Sequence, residues 1–127
     1  QMPEVYSSWD VHFSTTLGEG WGLVAHESAA CGVAQILPNY AAYGEWMKDG
    51  AWLIPCTGSS AMTSGVNTIG KIVSKASAVD ALNIVYRHPG ARETLATRAR
   101  TVATDPRFNW ATVNAQINKV LKGVRRT

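Results

Sequence analysis

The spacing of apolar positions changes near residue 79 and divides the chain into an α/β part and a helical part. In VHFST (11–15), Val11 and Phe13 alternate with polar residues, which predicts a strand. AQILP (34–38), WLIP (52–55) and IGKIV (69–73) predict three more. Gly22 to Cys31 suits a helix between the first two strands, and PEVYSSW near the start is also helix-like. TGSSAMTSGVN (57–67), rich in Ser, Gly and Thr, predicts a loop or excursion. Beyond residue 79, Val79, Leu82, Val85 and Tyr86 keep helical spacing up to a stop at HPG (88–90). Ala91, Leu95, Ala99 and Val102 form a second stripe, ended by Asp105-Pro106. Trp110, Val113, Ile117, Val120 and Leu121 form a third, with Asn109 as its starting cap and Gly123 at its end. Strands alternating with helices predict a layered α/β architecture with a mainly parallel sheet. Two halves of this rhythm need five or six strands and the sequence offers four, so the chain is expected to enter a domain partway.

Composition narrows the class without naming a chemistry. The 127 residues fit one domain, 46% hydrophobic and 17% charged, which excludes a disordered or fibrous chain. No apolar run approaches the roughly 18 residues that span a bilayer, and QMPEVYSSWD lacks the basic and apolar regions of a signal peptide, so a cytoplasmic setting is expected. Cys31 and Cys56 show no metal-finger spacing and are expected as reduced thiols. The net charge of +3 is mild, but Arg87, Arg92, Arg98, Arg100, Arg107, Lys119, Lys122, Arg125 and Arg126 crowd the last third. A solvated helix face explains them most simply; attraction to an anionic membrane surface or to phosphates is the alternative. Nucleic acid is not expected, because no stacking aromatics are interleaved with these charges.

One stretch carries candidate chemistry. In GEGWGLVAHESAACG (18–32) three glycines fall within five residues and Glu19 lies among them. A strand, then glycines, then a helix aims backbone N–H groups and a helix dipole at an anion. The G-x-G-x-G spacing matches neither the dinucleotide fingerprint nor a P-loop, and glycines serving only a tight turn and close helix packing explain it as well. Glu19 favours a ligand. A carboxylate beside a phosphate is repelled by it, so the acid should serve hydroxyls held next to that phosphate. Glu27, eight residues on, is one helical turn past Leu23 and near Ala30 and Cys31, on a side that reads as apolar. An acid buried there would need satisfying, and a ribose with two vicinal hydroxyls would do so; an exposed helix edge is the plainer reading.

Glu19-Gly20-Trp21-Gly22-Leu23, with Glu27 and Ala29-Ala30-Cys31-Gly32-Val33, closely resembles the E-x7-E region of retaining GT-B glycosyltransferases, the family 4-like group that contains sucrose and glycogen synthase relatives. PEVYSSWDVHFSTTL, with Asp10 at the strand entrance, resembles the lead into that motif, and HPGARETLATRARTVATDPRFNWATVNAQINKVL resembles the closing helices. Residues 57–77 match least. The resemblance implies that residues 1–127 are the C-terminal, nucleotide-sugar-binding portion of a Rossmann-like three-layer α/β/α domain. It further implies that upstream strands and an N-terminal acceptor domain are absent. By resemblance Glu19 contacts the transferred sugar as the catalytic acid of the motif, Gly20, Trp21, Gly22 and Leu23 approach sugar and phosphate, and Glu27 holds the ribose. No cofactor or metal is implied, and the acceptor would be a saccharide or lie at a membrane surface. Val24 and Ala34 stand where proline is usual, and His26 where an apolar residue is usual. The Arg/Lys pair that neutralises the diphosphate would lie upstream of residue 1. A nucleotide- or sugar-binding module without transferase activity is the alternative of another class.

The remaining residues read plainly. His12, His26 and His88 are scattered, with His26 a packing or edge residue. Trp21 could line a sugar pocket, while Trp9, Trp46, Trp52 and Trp110 are expected as core anchors. Lys71 and Lys75 could reach a phosphate, but solvated surface is the plainer expectation for both, and Asp80 and Asp105 read as caps or turn residues.

Overall fold

A computed structural model describes residues 1–61 and 69–124. Its parallel sheet has three strands, β1 (Val11–Phe13), β2 (Ala34–Pro38) and β3 (Trp52–Ile54), paired in the order β1-β2-β3. Helix α1 (Met2–Ser7) precedes β1, α2 (Leu23–Ala30) links β1 to β2, and α3 (Ala41–Trp46) links β2 to β3. β2 is buried at every position, as a central parallel strand with a near-continuous apolar run should be. Its one polar residue, Gln35, is fully satisfied. The amide donates to Ser28 Oγ and to the Val33 carbonyl at 3.0 Å each, and Oε1 lies 2.8 Å from Nδ1 of His12, its partner across the sheet.

Alternation along β2 feeds two core clusters. Leu37 packs with Ala25 and Ala29 of α2, with Tyr43, Trp46 and Met47, and with Ala99 and Ala103 of α5 (Pro89–Ala103). Ala34 and Ile36 pack with Ile54, with Ala78, Ala81 and Val85 of α4 (Lys75–Arg87), and with Leu95. The last helix, α6 (Trp110–Gly123), follows a 3-10 turn at Pro106–Phe108 and buries no residue.

Caps close the elements where the sequence places them. Asn109 Oδ1 accepts from the Ala111 amide at 2.8 Å to start α6, and Asp105 Oδ1 accepts from the Arg107 amide at 2.9 Å to start the 3-10 turn. Gly32, with φ +82°, ends α2 in a Schellman motif: the Val33 amide donates to the Ser28 carbonyl and the Gly32 amide to the Ala29 carbonyl. Cys31 and Cys56 are free.

Several expectations are corrected. IGKIV is a strand, β5 (Ile69–Val73), but it pairs antiparallel with β4 (Cys56–Ala61) in a separate two-stranded sheet instead of extending the parallel one. Thr57 to Ala61, read as loop from composition, belong to β4; residues 62–67 of that expected loop lie outside the described residues. Pairing with β5 supplies the backbone partners that Ser/Gly/Thr composition does not advertise. Among the four tryptophans expected as core anchors, Trp46 is buried and Trp52 half-buried, while Trp9 and Trp110 stand exposed. In α4 the sheet-facing residues are Ala78, Ala81 and Val85; Val79, Leu82 and Tyr86, expected on the apolar stripe, are exposed because small side chains let the helix approach the sheet more closely. Asp80 lies inside α4 and caps nothing. No helix among the described residues is long and apolar enough to cross a membrane.

Candidate functional site

The glycine turn opens at the carboxyl end of β1, the edge of a parallel sheet at which ligands enter open α/β folds. Gly22 is the N-cap of α2, with φ +83° and ψ 65°. A Cβ at that position would lie 2.6 Å from Tyr43 Oη, so both the backbone and the neighbour demand glycine. The turn is tied from behind: Trp46 Nε1 donates to the Trp21 carbonyl at 2.9 Å and the Ala42 amide to the Glu19 carbonyl at 3.4 Å. With no side chain capping α2, the first-turn amides of Leu23, Val24 and Ala25 have no carbonyl acceptor among the described residues.

The proposed ligands divide between two clefts. Glu19, Trp21, Gly22 and Leu23 line one of about 450 Å³ with Val24 and Tyr43. Trp21, Leu23 and Glu27 line another, of about 390 Å³, with His26, Phe108 and Trp110. Gly20 is exposed, and a Cβ there would meet nothing within 4 Å. Trp21 and Leu23 border both clefts, so Glu19 and Glu27 lie on one continuous surface, each in its own cleft.

Glu27 is exposed, which corrects the expectation of an acid on an apolar side. The buried face of α2 is Ala25, Ser28 and Ala29; Glu27 points toward α1, and Leu23, one turn back, is exposed too. There the buried Tyr6 donates its Oη to Glu27 Oε2 at 2.7 Å. That bond, then burial and the nearby charge, push the Tyr6 phenol above its ordinary pKa. Burial, and after it the charge of Glu19, push Tyr43 up as well, with the Ser14 hydroxyl opposing. Both carboxylates therefore face a phenol held in its neutral form.

Trp21 is more structural than a free pocket wall. It stacks on Trp46 with ring centroids 5.1 Å apart and planes 2° apart, and Phe108 meets it edge-on. Its Nε1–H donates to His26 Nδ1 at 2.9 Å, and His26 Nε2 lies 3.0 Å from the Ala103 carbonyl. A carbonyl can only accept, so His26 carries its proton on Nε2 and both ring nitrogens are engaged. That is the packing role expected of it.

Sequence reasoning missed Tyr6 and Tyr43. Neither is near the motif in sequence, and each reaches it only through packing, α1 against α2 and α3 behind the turn. Among the described residues no group of three or more His, Cys, Asp or Glu could hold a metal ion. No protein-family model matches the chain, and no curated protein matches it.

Proposed function

We propose that this chain is the C-terminal donor-binding part of a retaining GT-B glycosyltransferase, with the three strands belonging to a Rossmann-like three-layer α/β/α domain. The observation that carries the reading is the turn itself: two carboxylates eight residues apart flank a glycine turn whose amides stand free at the carboxyl edge of a parallel sheet. Glu19 contacts the sugar of a nucleotide-sugar, the amides from Gly20 to Leu23 face the diphosphate, and Glu27 holds the ribose. Tyr6 engages Oε2 of Glu27, which leaves Oε1 and a lone pair of Oε2 for ribose hydroxyls.

Neither cleft at the turn is lined by lysine or arginine. Stabilising a leaving diphosphate needs preorganised cations, and the acceptor must be held near the anomeric carbon. This favours a chain that binds donor but does not transfer it without an upstream domain, the saccharide or membrane-borne acceptor docking there. A binding module without transferase activity shares that property and differs only in the complete protein.

Amide spectra during titration with a nucleotide-sugar test the site. Signals from Gly18 to Leu23 and at Glu27 should move together. Glu27→Gln should weaken nucleoside diphosphate binding by about ten- to a hundredfold, the effect of one charge-assisted hydrogen bond, while Glu19→Gln should spare it. Shifts confined to α6, or equal weakening by both variants, would remove the assignment.

A further inference from the structure

A third cleft lies on the same edge of the sheet and has the opposite chemistry. It occupies about 490 Å³ between the residues that follow β2 and the β4–β5 hairpin, and Asn39, Tyr40, Thr57, Ser59 and Lys71 line it. Unlike the clefts at the glycine turn, it has no carboxylate in its lining and it has a cation. Lys71 Nζ donates to Ser59 Oγ across the hairpin at 2.9 Å and forms no ion pair among the described residues. Its charge reaches into the cleft: burial pushes the Cys56 thiol up, and the Lys71 ammonium opposes that shift.

The cleft is also fixed in place. The Lys71 amide donates to the Leu17 carbonyl at 2.9 Å, and Tyr40 Oη donates to the Ile69 carbonyl at 3.0 Å, so β5 is fastened to both the segment after β1 and the segment after β2. A Cβ on Gly18 would lie 3.6 Å from the Tyr40 ring, which makes that ring the border between this cleft and the glycine turn.

We propose that this cleft binds a phosphate group, with Lys71 as its charge and the hydroxyls of Ser59 and Thr57 and the side-chain amide of Asn39 as its donors. A neutral sugar brings its own donors and wants acceptors such as carboxylates, whereas an oxyanion wants a cation among donors. The phosphate has two sources, the diphosphate of a nucleotide or the phosphate of a separate phosphorylated sugar. The inference stands without the glycosyltransferase reading, because it uses no residue of the glycine turn as a ligand.

The test is titration of the isotopically labelled chain with inorganic pyrophosphate, with a sugar 6-phosphate and with uridine diphosphate. Saturable shifts at Thr57, Ser59 and Lys71 are expected with pyrophosphate. Lys71→Met should weaken them by about tenfold or more, and Lys71→Arg should keep them, since the charge-assisted bond is retained. Lys71 is only half-buried and its Nζ bonds the exposed Ser59, so both variants should fold, and unchanged amide signals from the β1-β2-β3 sheet verify that. Hairpin shifts with the sugar phosphate that persist at saturating uridine diphosphate identify a separate ligand; hairpin and turn shifts that follow one curve with uridine diphosphate identify the donor's own diphosphate. Hairpin amides silent toward all three probes, or equal affinity in wild type and Lys71→Met, would overturn the proposal. A responsive hairpin beside a turn silent toward uridine diphosphate would remove the donor-site reading and leave this one standing.

Discussion

Helices α2 and α6 invert what their sequences advertise. α6 carries the stronger apolar pattern, with Trp110, Val113, Ile117, Val120 and Leu121 falling within an arc of about 100° at helical pitch. It buries none of them, and Leu121 remains 63% exposed. The residues that α2 buries are only Ala25, Ser28 and Ala29, and all three are completely buried. Small side chains let α2 approach β2 and α5 closely, so it is the closeness of fit and not the size of the apolar residues that seats it. Periodicity shows that a helix has a face. It does not show what covers that face.

The largest test of this contrast is at the entrance to α2. Gly22→Ala places a methyl group where Tyr43 already is and forces an L-residue to φ +83°. Left-handed strain of about 1–2 kcal/mol and overpacking of about 1–3 kcal/mol should together cost about 2 kcal/mol or more of stability, read by chemical denaturation. A variant as stable as wild type would mean that the turn is not the rigid seat described above.

A smaller effect is expected from the two phenols that face the carboxylates. Both are held above the ordinary tyrosine value: Tyr6 first by its bond to Glu27, Tyr43 first by burial. A raised folded-state pKa means that the native state holds its proton more tightly than the unfolded chain does. The stabilisation is therefore complete below the ordinary phenol value near pH 10 and is lost as pH rises through the folded value. Thermal melting should fall on that alkaline limb, and the fall should be shallower in Tyr43→Phe and Tyr6→Phe. Superimposable alkaline limbs in all three proteins would show that these phenols ionise freely.

Much of this arrangement was legible in the sequence. AQILP and IGKIV coincide with β2 and β5 residue for residue, because a near-continuous apolar run and an Ile/Val-rich run bounded by turn residues are strong local signals. The strand-glycine-helix order around Glu19 was legible for the same reason. β4 was not, since Cys56–Ala61 become a strand only through pairing with β5. α3, AAYGEW, spans six residues, too few for a helical period to show, and Ala41 at its start has φ +51°. The exposure of Glu27 and its partner Tyr6, 21 residues away, depend on how α1 meets α2, which no local pattern encodes.

The smallest effect belongs to α6. Truncating a buried leucine costs about 2–5 kcal/mol because the packing around it collapses only in part. Leu121→Ala removes a side chain that is mostly in water already, and alanine is the better helix former, so loss of transfer energy and gain in propensity nearly cancel. The expected change is within about 0.5 kcal/mol, as for surface substitutions generally. Val120→Ala, with Val120 at 68% exposure, should behave alike. Denaturation of the chain at several protein concentrations is the measurement. Losses of core size at either position, independent of concentration, would mean that the face is covered within the chain, and α6 would then be packed like α2 rather than set against it.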